Sequence, residues 1–273
     1  MVMFRARFQR DILAEFLPPA RKQEQKTGQT RAKHGKPATR KVRIIMLCDG
    51  MPSIPRKQPL AEFLAGKGYW VFYPRYRGAW ESGGEFMERS PHLDILDVIH
   101  GLNREIRELA FGRKFRVQPD EIFVIGGSFG GTAAILCALD GRVKKAIANC
   151  PVVDWGILRK SEKAETSKPS YAAYIREAFG QGVRLSDRNW NKLHTGTFYN
   201  PAQHVKEVIP SKIMMFHAMD DPNVPYKSVV NFAERTGVKL KLLKRGGHLS
   251  TDMVVRKYWR EIKTFLEGEL RSE

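Results

Sequence analysis

The chain has 273 residues, 42% of them hydrophobic, and a formal net charge of +18. That length suits one large single-core α/β domain spanning residues 1–273, although two small domains also fit. No unit repeats at a fixed period, which excludes a solenoid or propeller. No run of about 18 apolar residues occurs, which excludes a membrane-spanning helix from the expectations.

The first residues, M-V-M-F-R-A-R-F-Q-R, interrupt their apolar positions with charges, so no signal-peptide core forms. Residues 3–8 and 12–17 alternate. Phe4, Ala6 and Phe8 share one side, as do Ile12, Ala14 and Phe16, and residues 9–11 close a hairpin between them. Residues 20–41 hold eight Lys or Arg against one Glu. This basic loop reads as a solvated segment, with contact to nucleic acid or another polyanion as the alternative. It lacks the interleaved aromatics of a single-strand binder.

V-R-I-I-M-L-C (42–48) is nearly all apolar, as a strand covered on both faces requires. A short helix over 59–68 and a strand over 69–73 follow. Ser90-Pro91 starts a helix whose Ile95, Ile99, Leu102, Ile106 and Leu109 recur at spacings of four and three. A strand over 122–125, a small-residue helix over 132–139 and a strand over 143–150 come next. Residues 155–210 break the rhythm and read as a helical insertion covering a site. Strands over 212–217 and 238–243 flank a helix over 226–236, and one helix over 250–268 closes the chain. The expected fold is α/β, with a mostly parallel central sheet, an antiparallel N-terminal hairpin and helices on both faces.

The sharpest local signal is Gly126-Gly127-Ser128-Phe129-Gly130, a G-x-S-x-G between a strand and a small-residue helix. A sharp strand-to-helix turn lifts the serine oxygen above the sheet, and the flanking glycines remove its clashes. No Lys-Ser or Lys-Thr follows, so a phosphate loop is excluded. A serine nucleophile needs a base, and the base needs an orienting acid. Of seven histidines, His248 alone follows a late strand through a Gly-Gly turn. The acid comes from Asp220 or Asp221 at the end of strand 212–217, with Asp154 as a third candidate. The oxyanion donors expected are the N–H groups of Phe129 and, in the loop after residue 48, Met51. Arg75 or Arg77 either holds a substrate carboxylate or pairs with Asp94 or Asp97 to brace its loop. A metal reading would use His217, Asp220, Asp221 and His248, but it leaves the serine turn unexplained. No metal and no cofactor is expected.

G-G-S-F-G-G, H-A-M-D-D-P-N-V-P and G-G-H-L-S together resemble the catalytic domain of the prolyl oligopeptidase family of serine peptidases. Y-R-G-A-W-E-S-G-G-E-F is similar to that family's Arg-Gly loop, and the resemblance covers roughly residues 42–268. It implies an α/β-hydrolase fold. Aligned on Val224-Pro225, it places the acid at Asp221. Ser128, Asp221 and His248 are then the expected triad of a serine hydrolase. Family members that cleave oligopeptides often carry a β-propeller in front, and only about forty residues stand there in this sequence. Asp49 stands where many of them place a Tyr. An esterase or thioesterase therefore fits as well as a peptidase.

The expected substrate is a small ester or short peptide. The expected location is the cytoplasm, because Cys48, Cys137 and Cys150 fit no disulfide or metal spacing. The competing expectation is a non-catalytic protein on a hydrolase scaffold that binds a polyanion through its basic loop.

Overall fold

The computed structural model describes residues 3–20, 41–51, 53–160 and 170–268. Most of the basic stretch, residues 21–40, lies outside the described residues, and so does the polyanion contact expected of it.

The strands are β1 (Phe4–Phe8), β2 (Ile12–Leu17), β3 (Arg43–Cys48), β4 (Trp70–Pro74), β5 (Ile106–Arg107), β6 (Lys114–Phe115), β7 (Glu121–Gly127), β8 (Lys145–Asn149), β9 (Ile213–Ala218) and β10 (Lys239–Leu243). Eight of them form one sheet in the order β1-β2-β4-β3-β7-β8-β9-β10. β1 pairs antiparallel with β2, and β2 antiparallel with β4. From β4 to β10 every neighbour is parallel. β7 lies near the middle and is buried along its whole length, as a near-continuous apolar strand must be.

The helices are α1 (Gln58–Gly66), α2 (His92–Gly101), α3 (Phe129–Cys137), α4 (Trp155–Lys160), α5 (Ser170–Phe179), α6 (Asp187–Asn191), α7 (Tyr226–Thr236), α8 (Thr251–Lys257) and α9 (Trp259–Glu267). Alternation along each strand divides the core in two. Ile44, Met46, Phe72 and Val124 face a layer containing α2 and α3. Ile45, Val71, Phe123 and Ile125 face a layer containing α1, α8 and α9. The hairpin turns Ala6, Phe8, Ile12, Ala14 and Phe16 into the first layer, as their alternation predicts.

Two elements differ from the sequence reading. The helix expected to run to Leu109 stops at Gly101. A Cβ at Gly101 would come within 2.7 Å of the Phe8 ring, so the helix end packs directly onto β1. The chain then turns into the small β5–β6 hairpin, whose loop is held by Glu108 accepting from the N–H groups of Ala110 and Phe111. Ile106 is buried in β5, whereas Leu109 is exposed. The closing helix is two helices, broken at Tyr258, whose ring stacks on Phe216 at 5.3 Å.

Between β8 and β9 the chain forms α4, α5, α6 and short 3₁₀ turns, with residues 161–169 outside the described set. This segment is tied to the loop after β4. Trp80 N–H donates to the Gly182 carbonyl (2.7 Å), Phe86 N–H to Arg184 (2.8 Å), and Arg184 N–H to Gly78 (2.8 Å). No helix among the described residues is long and apolar enough to cross a membrane.

Phe72 anchors the first core layer. It is fully buried, stacked on Phe16 at 5.3 Å and edge-on to Phe8 at 6.2 Å. Phe72→Ala is expected to lower the unfolding free energy by about 3–5 kcal/mol. Phe111→Ala, at a ring that is 80% exposed, should stay within about 0.5 kcal/mol. Urea denaturation of both variants measures the contrast.

Candidate active site

Ser128 sits between β7 and α3 with φ 55° and ψ −123°, a conformation that L-residues seldom adopt and that costs about 1–3 kcal/mol. The surrounding backbone holds it there. Ser128 N–H donates to the Asn149 carbonyl at 2.8 Å, and its own carbonyl accepts from Gly131 N–H at 2.9 Å. The glycines are required by close approach. A Cβ at Gly126 would lie 1.9 Å from the Gly130 carbonyl oxygen, and one at Gly130 would lie 2.4 Å from the Asp49 carbonyl oxygen. Only bare backbone lets α3 press this closely on the strand ends.

His248 follows β10 through Gly246-Gly247, and Asp221 follows β9. The His248 Nδ1 lies 2.9 Å from Asp221 Oδ2 and 3.1 Å from Oδ1. A carboxylate only accepts, so Nδ1–H donates and the Nε2 lone pair is left for another proton. The Asp221 side chain is fully buried, whereas that of His248 is 26% exposed. Asp221 Oδ1 also accepts from the N–H groups of Asn223 (2.8 Å) and Val224 (3.0 Å). Burial pushes the Asp221 pKa up. The hydrogen bond and charge of His248, with the two N–H donors, outweigh that and hold it below the ordinary carboxylate range.

The other acids are otherwise engaged. Asp220 is exposed and accepts from Gly247 N–H at 2.8 Å, bracing the turn before His248. Asp154 caps α4 through Gly156 N–H at 2.8 Å. Both arginines brace their loop rather than face the serine. Arg77 pairs with Asp11 (2.7 Å), Asp97 (2.8 Å) and Asp94, and Arg75 is buried against Glu15 (2.6 Å).

His217 is fully buried and donates from Nε2 to the Val224 carbonyl at 3.0 Å. Burial lowers its pKa, so the ring is neutral. Cys150 lies behind the acid, and burial followed by the Asp221 charge pushes its thiol pKa up, keeping it protonated. Donor atoms of Cys150, His217 and Asp221 fall within 4.8 Å of one another. With the thiol protonated and the Asp221 carboxylate already accepting three N–H groups, the cluster supports Asp221 rather than holding a cation. Asp220, part of the metal reading, faces elsewhere.

Ser128, His248, Phe129 and Met51 line one cleft of about 160 Å³, together with Val152, Trp155 and Tyr171. As the first residue of α3, Phe129 has an N–H with no carbonyl partner inside the helix. The loop bearing Met51 lies alongside, because a Cβ at Gly50 would sit 3.9 Å from the Ser128 Cβ. Among the aromatics of residues 155–210, Trp155 and Tyr171 line the cleft. Trp190 is buried in the core, Tyr174 is half exposed and Phe198 packs against the core edge. Sequence reasoning missed three tyrosines that fix the backbone here. Tyr73 donates to the Asp49 carboxylate (2.6 Å), Tyr76 to the Asp49 carbonyl (3.1 Å) and Tyr199 to the Phe129 carbonyl (2.7 Å). Nothing in their spacing marks them, since their partners, one carboxylate and two backbone carbonyls, lie far away in sequence.

Residues 58–270 match the prolyl oligopeptidase family. No curated protein sequence matches the chain. Among solved structures, the acylaminoacyl peptidase of Pyrococcus horikoshii superposes with a TM-score of 0.64 at 17% identity, over 100% of this chain and 42% of the peptidase. This chain therefore spans well under half of that protein. An esterase of Pyrococcus furiosus gives 0.62 at 16% identity, over 97% of this chain and 89% of its own. Est1E of Butyrivibrio proteoclasticus, solved with ferulic acid bound, gives 0.64 at 17% identity, over 97% and 99%. These likenesses establish the α/β-hydrolase fold.

A depressed folded-state pKa contributes stability that is complete above the unfolded pKa and is lost as pH falls through the folded value. Asp221→Asn should therefore be less stable than the parent at neutral pH, with the gap closing as pH falls below 3.8, the ordinary aspartate value. Urea denaturation of both proteins across that range checks it. A gap that widens on acidification contradicts the assignment.

Proposed function

Since the chain belongs to the prolyl oligopeptidase family, we propose that it is a serine hydrolase that cleaves an ester, thioester or amide through an acyl-enzyme on Ser128. The observation that carries this reading is one cleft holding a serine at a strained strand-to-helix turn and a histidine fixed by a buried carboxylate. Ser128 Oγ attacks the carbonyl carbon while its proton passes to His248 Nε2. The N–H groups of Phe129 and Met51 receive the charge that develops on the carbonyl oxygen. His248 then gives the proton to the departing oxygen, sulfur or nitrogen, and the acyl group stays on Ser128. Water attacks next, loses its proton to His248, and releases the acid as Ser128 regains a proton. Asp221 holds the imidazole in the required tautomer and stabilises its charged form.

The cleft volume of about 160 Å³ corresponds to roughly five water-sized groups at about 30 Å³ each. Short acyl groups fit it, and Val152, Trp155 and Tyr171 give their chain apolar contact. The three cysteines are free and buried, which supports the reducing cytoplasm as the working compartment.

Turnover of p-nitrophenyl acetate, butyrate and palmitate, beside aminoacyl p-nitroanilides, tests the proposal. Butyrate should exceed palmitate in kcat/KM, and a burst of p-nitrophenol should precede the steady state. Ser128→Ala should lower kcat by about 10⁴-fold or more without changing the denaturation midpoint. A Ser128→Ala protein that keeps the parent rate overturns the mechanism.

A further inference from the structure

A concavity larger than the serine cleft lies elsewhere on the described residues. It measures about 770 Å³ and lies where the β1–β2 turn, the chain just after α2 and the β5–β6 hairpin converge. It shares no lining residue with the serine cleft. We propose that this cleft binds a small ligand carrying two or more clustered phosphate groups.

Four arginines line it: Arg7, Arg10, Arg104 and Arg107. All four are exposed, and none forms an ion pair with a carboxylate among the described residues. Arg7 donates only to the Glu81 carbonyl, at 3.2 Å. The arginines of the loop after β4 behave differently, since Arg75 and Arg77 are both neutralised by carboxylates. Two glutamates also line the cleft, and both are occupied. Glu105 pairs with Lys114 at 2.9 Å, and Glu108 is buried and spent on the N–H groups of Ala110 and Phe111. With four arginines against two glutamates in its lining, the concavity carries a net positive charge.

Its construction favours a compact ligand. The arginines come from two chain segments, residues 7–10 and 104–107, that line a volume within the range of small-molecule sites, about 300–1,000 Å³. Guanidinium forks match phosphate oxygens in geometry as well as charge. Gln9 and Arg10, at the hairpin tip, have φ of 47° and 70°. Asn or Gly would take that conformation at less cost. Strain kept at a turn that carries an arginine into a cleft is the pattern seen where side chains serve a ligand. Phe111, 80% exposed on the rim, offers a flat face on which a nucleobase can stack.

The test is calorimetric titration of the whole chain at about 0.15 M salt, with sodium tripolyphosphate, ATP and sodium sulfate. Tripolyphosphate should bind saturably at one site, about tenfold or more tighter than sulfate. The double variant Arg104→Ala/Arg107→Ala should weaken it by about tenfold or more, with ester hydrolysis and the denaturation midpoint unchanged. Arg188→Ala/Arg235→Ala removes the same charge elsewhere and should leave binding intact. Tighter ATP binding that is lost in Phe111→Ala identifies a nucleotide as the source of the phosphates, and equal binding of ATP and tripolyphosphate identifies the phosphate chain alone. Absence of saturable binding, or equal weakening by both double variants, overturns the proposal.

Discussion

The arrangement depends on how closely α3 approaches the ends of β3 and β7. With the Gly130 position within 2.4 Å of the Asp49 carbonyl for any Cβ, a single methyl group would push the helix off the sheet. That contact fixes two features at once. It forces Ser128 into its strained turn, and it brings the loop carrying Gly50 and Met51 against the serine. Ser128 and the loop carrying Met51, the proposed nucleophile and oxyanion donor, are thus placed by one backbone-to-backbone contact, and the surrounding core opposes its relaxation. Tyr73, Tyr76 and Tyr199 add to this by gripping the same loop and the first turn of α3 from below.

Asp221 and His248, the proposed acid and base, are positioned by a different device. β9 and β10 are parallel neighbours, so the loops after them emerge side by side. Asp221 takes its orientation from the N–H groups of its own loop, and Asp220 fixes the turn ahead of His248. The Asp220-Asp221 pair therefore divides its work: one carboxylate shapes the loop and the other meets the imidazole. His217 and Cys150 wall the acid off from water. A buried carboxylate with three N–H donors remains ionised despite its burial, which is the state that a partner for imidazolium requires.

Much of this was legible in the sequence because it is local. The glycines about Ser128, the apolar runs of β3 and β7, and the Gly-Gly turn before His248 each signal their conformation within a few residues. Choosing Asp221 over Asp220 needed the family resemblance, because adjacent aspartates look alike until the loop folds. What was not legible is set by contacts distant in sequence. Ile106 and Leu109 continue the helical spacing of α2, and only the packing of Gly101 on Phe8 ends that helix. The arginine cleft draws on residues 7, 10, 104 and 107, which no sequence window brings together. Net charge had pointed instead to residues 20–41, whose local density is higher.

The proposed mechanism requires Ser128 to be an activated nucleophile. Labelling with a fluorophosphonate, followed by mass mapping of the adduct on the parent protein and on His248→Ala, tests it most directly. One adduct is expected, on the peptide carrying Ser128, and it is lost in His248→Ala while that variant keeps its fold. A folded parent protein that takes no label, or that takes it on another serine, would contradict the account.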